Sequence, residues 1–153
     1  MADHILERRV WLPCPRPETF EFFADPRNLG RLHPAWARPR WLAPPPARLA
    51  AGAILDFQAG WLPGRWRVIV REFDAPYRFV DAQVRGPFAR WEHRHRFVEG
   101  SEAEGGTWVE DRVTYRLPLG PLGRLIHGLG VGRRVRALFE YRDRRLRELL
   151  GSK

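Results

Sequence analysis

Residues 91–97 read Trp91-Glu92-His93-Arg94-His95-Arg96-Phe97, and charged positions alternate without a break with aromatic and imidazole ones. Side chains of a strand point to its two faces in turn. Trp91, His93, His95 and Phe97 therefore share one face, and Glu92, Arg94 and Arg96 share the other. The charged face suits water. The other places two imidazoles between large aromatic rings, and buried imidazoles need polar partners. That pattern suggests the wall of a half-polar cavity rather than a plain oily core.

The flanking sequence supplies possible neighbours. Upstream, residues 77–85 (YRFVDAQVR) read as a strand with Phe79, Asp81 and Gln83 on one face, and Gly86-Pro87 turns the chain toward residue 91. Downstream, residues 100–106 form a polar loop, and residues 107–117 a strand with Val109, Asp111, Val113 and Tyr115 on one face. Residues 53–61 and 65–73 are two more strands around a tight turn at Leu62-Pro63-Gly64. In the second, Trp66, Val68 and Val70 alternate with Arg67, Ile69 and Arg71.

Toward the N-terminus, residues 4–12 are extended, and Pro13, Pro15 and Pro17 end that strand. Residues 17–24 form a short helix with Phe20 and Phe23 three apart. Asp25 can cap a second short helix over residues 26–33, whose buried side is Leu29 and Leu32. Residues 36–41 read as another short strand, followed by an irregular Pro44-Pro45-Pro46. At the C-terminal end, residues 122–129 are helical in character but interrupted at Gly128 and Gly130. A long helix then runs from residue 131 to about residue 150. Val131, Val135, Leu138, Phe139, Leu146 and Leu149 form its apolar stripe, and its other face is rich in arginine. Glu140 with Arg144 and Asp143 with Arg147 are spaced as surface ion pairs. Hairpin-linked strands make an antiparallel sheet, and the long helix must bury its stripe on it.

Composition bounds the function. The chain has 153 residues, 44% of them hydrophobic and 12% aromatic, which fits one domain over residues 1–153 with a real core. Cys14 is the only cysteine, so it has no disulfide partner and is expected to be a bystander. Met1-Ala2-Asp3-His4 does not open a secretory leader, and no apolar run approaches the roughly 18 residues of a membrane span, so a cytoplasmic protein is expected. The net charge is +9 and Lys153 is the only lysine. The arginines are scattered rather than blocked, which fits a solvated surface and no specific nucleic-acid partner, with peripheral contact at an anionic membrane left open. No phosphate-binding, dinucleotide-binding or nucleophile-elbow motif is present, and no cofactor is expected.

The element order resembles the helix-grip fold of the START-like, or SRPBCC, superfamily, and the local sequence is closer still. The run PETFEFFADPRNLGRL at residues 17–32 is similar to that family's short helix pair. Phe79-Val80-Asp81-Ala82-Gln83, Gly86-Pro87-Phe88, the 91–97 strand, Thr107, Asp111, Val113, Tyr115 and the Pro118-Leu119-Gly120 exit resemble its polyketide cyclase/dehydrase-like members. The resemblance implies an α+β fold in which a curved antiparallel sheet of about seven strands wraps a long C-terminal helix, with two short helices after the first strand. It also implies a largely apolar cavity between sheet and helix, used by some members to bind lipids, hormones or polyketides and by others for cyclisation or dehydration. Fold alone does not choose among these.

Two sets of residues stand out. His93, His95, Asp111, Asp81 and Gln83 would converge if the strands pair in chain order. A carboxylate beside an imidazole fixes its tautomer and raises its basicity. The set reads as a self-satisfied structural pair, as a patch that orients a ligand, or as acid–base machinery with His95 as base and Asp111 as its orienter. His93 and His95 with Asp81 or Asp111 also have the donor types of a metal site, but His-x-His without a further ligand signature is weak, and no metal is expected. The second set, Trp66, Phe79, Trp91, Phe97, Tyr115 and Phe139, would wall a cavity for a small hydrophobic or aromatic molecule or simply fill a core. His33 and His127 have no evident carboxylate close in sequence and carry no assigned role. The expectation is a binder of a small hydrophobic, aromatic or lipidic molecule, monomeric or homodimeric; the alternative is a cyclase or dehydratase in the same cavity.

Overall fold

The computed structural model describes residues 3–151. Strand β1 is His4–Leu12 and helix α1 is Arg16–Ala24. Two 3-10 helices follow, Pro26–Leu32 and Ala35–Ala37. Asp25 caps the first as expected, its Oδ1 accepting from the Arg27 amide at 3.0 Å. The remaining strands are β2 (Arg40–Trp41), β3 (Ile54–Gln58), β4 (Trp66–Asp74), β5 (Arg78–Arg85), β6 (Arg90–Glu99) and β7 (Thr107–Arg116). Helices α2 (Pro121–Ile126) and α3 (Gly132–Leu150) are separated by one wide turn, in which Gly130 leaves helical geometry (φ 168°, ψ −25°).

The seven strands form one antiparallel sheet in the order β1-β7-β6-β5-β4-β3-β2. From β2 to β7 the strands pair in chain order, and β1 closes against β7, so β6 lies between β5 and β7. This is the helix-grip architecture, with α3 lying across the inner face of the sheet. The core joins Val10, Leu12, Phe20, Val70, Phe97, Val109, Val113, Val135 and Leu146. No helix among the described residues is long and apolar enough to cross a membrane.

Two local readings are corrected. Residues 36–41 are not one strand; only Arg40–Trp41 pairs, because residues 35–37 turn tightly after Pro34. The surface pair Asp143–Arg147 is replaced by a buried one. Asp143 points into the protein and its Oδ2 accepts from Arg8 of β1 at 2.7 and 3.0 Å, pinning α3 to the sheet.

Candidate functional site

Alternation in β6 sends Trp91, His93, His95 and Phe97 inward and leaves Arg90, Arg94 and Arg96 exposed, as the sequence pattern requires. The register sets His95 opposite Phe79 and Asp111, and His93 opposite Asp81 and Val113. The hydrogen bonds run along the diagonals. His93 Nε2–H donates to Asp111 Oδ1 at 2.8 Å, and His95 Nε2–H donates to Asp81 Oδ2 at 2.8 Å. The two imidazoles stack at 3.7 Å, and Phe79 stacks on the other face of His95 at 4.0 Å.

The cluster has a member that reading the sequence assigned to solvent. Arg142 of α3 is 5% exposed. One guanidinium nitrogen lies 3.3 Å from Asp111 Oδ1 and 3.4 Å from His95 Nδ1. Its cation faces Phe23 at 5.1 Å and Phe139 at 5.5 Å. The apolar stripe carried the signal. Val135, Leu138, Phe139 and Leu146 leave a gap one turn after Leu138, and Arg142 fills it.

Charge balance sets the protonation states. Asp81 and Asp111 carry two negative charges and Arg142 one positive charge, so a proton on His95 neutralises a cluster shielded from water. Burial opposes that proton, but the hydrogen bonds from His95 to Asp111 and Asp81 outweigh it and raise the His95 pKa. His93 goes the other way. Burial, and then the neighbouring charge of His95, push it down to about 4. Asp111 is held well below the ordinary carboxylate range against the opposing effect of burial, by Arg142 and both histidines. Asp81 is likewise lowered, chiefly by its bond to His95, although burial opposes this.

A cavity of about 120 Å³ lies between this cluster and the rest of the inner face. Leu55, Phe57, Trp66 and Val68 of β3 and β4, Phe79, Trp91, Leu138 and Phe139 form apolar walls, and Phe22, Phe23, Leu29 and Leu32 close it from the short helices. Its polar lining comes mainly from Asp81, His93, His95, Arg142 and His33. His33 went unassigned in the sequence; it is the extended residue that ends the first 3-10 helix. Its Nδ1–H donates to the Leu29 carbonyl at 2.7 Å. Burial first, then the charge of Arg142, lowers its pKa to about 4. His33 and His93 are thus neutral, each with a proton committed to one nitrogen. The second nitrogen of each, Nε2 of His33 and Nδ1 of His93, keeps a lone pair with no hydrogen-bond partner among the described residues.

Of the residues expected to line the cavity, Trp66, Phe79, Asp81, Trp91, His93, His95 and Phe139 do so. Four do not. Asp111 stands behind the histidines and orients them. Gln83 is turned to the β5–β6 connection, where it accepts from the Phe88 amide at 3.2 Å and donates to the Phe88 carbonyl at 2.7 Å. Phe97 is sealed into the core against Phe20 and Phe23, both at 5.1 Å. Tyr115 shares a 2.7 Å hydrogen bond with His127 at the far end of the sheet. Asp81, His93 and His95 bring one potential ligand atom each within 4.8 Å of one another. Both Nε2 atoms of that set are already bonded to carboxylates, and the Arg142 cation adjoins them, which disfavours a second cation.

Fold and cavity together define a helix-grip protein with an apolar chamber and one ionisable end. The chain belongs to the polyketide cyclase/dehydrase and lipid transport family, whose model matches residues 12–139. Similar solved structures share the fold at low identity. TTHA0849 from Thermus thermophilus is 22% identical, with 94% of this chain and 96% of that one covered and a TM-score of 0.66. Truncated norcoclaurine synthase from Thalictrum flavum is 11% identical, with 100% and 98% covered and a TM-score of 0.67. Ms6760 from Mycobacterium smegmatis is 16% identical, with 95% and 90% covered and a TM-score of 0.62. No curated protein matches the chain.

Proposed function

We propose that this protein binds a small hydrophobic or aromatic molecule in the chamber between the sheet and α3, with the polar end of the molecule held at His93 and His33. The observation that carries the reading is the pair of neutral imidazoles on the wall of an apolar cavity, each with an unpartnered nitrogen. Each of these acceptors is free to take a hydrogen bond from a donor in the cavity, so a hydroxyl-bearing ligand suits the site. Trp66, Phe79, Trp91 and Phe139 supply flat apolar contact.

Native mass spectrometry of the purified protein tests this. A non-covalent adduct is expected that disappears on denaturation and in the cavity-filling variant Val68→Trp. Protein that carries no adduct and leaves the fluorescence of anilinonaphthalene sulfonate unchanged would defeat the reading.

One observation supports the enzymatic alternative but exchanges its roles. His95, whose pKa is raised beside Asp81 and Asp111, suits a proton donor, while His93, neutral and oriented by Asp111, suits the acceptor. An enzyme would convert its bound molecule, seen as a mass change in the adduct, and His93→Gln would stop conversion while retaining the adduct.

A further inference from the structure

Leu122, Leu125, Ile126 and Leu129 recur at the three- and four-residue spacing that ordinarily marks the buried side of a helix. Here that side faces out. The four side chains are 52, 57, 39 and 75% exposed. Leu119, 67% exposed, joins them in a left-handed backbone conformation (φ 72°) that leucine seldom takes. Five large apolar side chains within eleven residues make a continuous exposed patch, unlike the scattered surface leucines of ordinary soluble domains.

Along the chain, the charge flanking the patch is of one sign. Between Asp111 and Glu140 the chain has no acidic residue, and Arg124, Arg133, Arg134 and Arg136 are all exposed beside the apolar turn. A second copy of the chain is a poor occupant, because a symmetric contact would bring these arginines against their own copies. A nucleic-acid backbone would pair with the arginines and leave the leucines without a partner. An anionic lipid surface satisfies both, taking apolar side chains below its headgroups and guanidinium groups at them.

The patch is also tied to the chamber. The Arg134 guanidinium lies over the Trp36 ring at 5.2 Å, Trp36 packs edge-on to Trp61 at 5.9 Å, and Trp61 lines the cavity. We propose that residues 117–131 dock the protein on an anionic phospholipid membrane, with Leu119, Leu122, Leu125, Ile126 and Leu129 inserted and the neighbouring arginines at the phosphates. Docking in this way sets the Trp36–Trp61 edge of the chamber close to the bilayer, within reach of a lipid-dissolved ligand. The surface acts whether or not the chamber is filled, so its test is independent of the binding reading.

The full chain is sedimented with vesicles of phosphatidylcholine alone and of phosphatidylcholine with phosphatidylglycerol. Wild-type protein should pellet with the mixed vesicles only. Binding should fall at least ~10-fold in Leu125→Glu/Leu129→Glu, and fall by a smaller factor in Arg133→Gln/Arg134→Gln, which should also lose part of its salt dependence. Wild-type protein left in solution, or a double-glutamate variant that pellets as well as wild type, would overturn the proposal. So would a wild-type dimer that the double-glutamate variant turns into a monomer, because the patch would then cover a second copy. Should that variant fail to fold, Leu129→Cys carrying an environment-sensitive dye tests the same insertion, since Cys14 is buried and escapes labelling. Its emission should shift to the blue with mixed vesicles, and unchanged emission overturns the proposal.

Discussion

Replacing Arg142 by methionine tests whether α3 is held by the buried cluster or only by its apolar stripe. Methionine keeps most of the stem's packing and removes the cation. What remains is Asp111, 3% exposed, and Asp81, with only His95 to balance two carboxylates. Removing one partner of a buried ion pair costs about 3–5 kcal/mol. The 3.3 Å contact to Asp111 is longer than a strong charge-assisted bond, which places the loss near the lower end. The cation over Phe23 and Phe139 adds about 0.5–1 kcal/mol. The sum is roughly 3–4 kcal/mol, a large share of the ~5–15 kcal/mol that stabilises a domain. Urea unfolding at neutral pH, followed by tryptophan fluorescence, should show that loss, and the melting temperature should fall by roughly 10 °C. The double variant Arg142→Met/Asp111→Asn removes both charges and should recover part of the loss, because the carboxylate is no longer left uncompensated. A single variant within about 1 kcal/mol of wild type would refute the reasoning. So would a double variant as unstable as the two single changes added together.

Stability should fall as the pH drops from 6.5 toward about 4. In this window His93 stays neutral when folded but takes a proton when unfolded, so the unfolded chain gains protons. The interval is worth roughly 3 kcal/mol for His93, with a smaller share from His33, which keeps some accessible surface; unfolding curves across this range should show it, and His93→Phe should flatten them. His95 works in the opposite direction. Its raised pKa gives stability that is complete below 6.5 and lost as the pH rises through the folded value, so the profile should also decline on the alkaline side. Gly86→Ala should cost about 1–3 kcal/mol in a thermal melt, because a Cβ there would lie 2.6 Å from Gln83 Oε1 and 2.8 Å from the Trp66 ring, and Gln83 is already committed to both backbone groups of Phe88.

Alternation carried most of what could be read in the sequence. The period of two put His93 and His95 on one face, and short turns made β5 and β7 the neighbours of β6, which brought Asp81 and Asp111 within reach. Periodicity tells which side of a sheet a residue takes, but not whether the space before it is empty. Phe97 and Tyr115 point to the inner side, yet α1 fills the space at one end and His127 meets the ring at the other. Gln83 lies on the same face but sits at a strand end, where the nearest unpaired groups are those of the turn. Arg142 and Asp143 were obscured for a different reason. On a helix carrying so many arginines, a charged residue inside the apolar stripe looks like one more solvated side chain. Only the cross-chain partners, Asp111 for one and Arg8 for the other, show that it is buried.

These two adjacent residues give the buried charges a role that an apolar core would not fill. An apolar stripe fixes which side of a helix faces the sheet, but leucine, valine and phenylalanine tolerate modest rotation and sliding. Arg142 and Asp143 do not. The first must meet Asp111 and His95 on β7 and β6, and the second must meet Arg8 on β1. Three strands and one helix are thereby set in a single register, with Leu138 and Phe139 held at the cavity wall one turn earlier. Apolar replacements of similar volume could raise stability while loosening that register. The chamber would then lose both its fixed width and the carboxylate contacts that raise the His95 pKa.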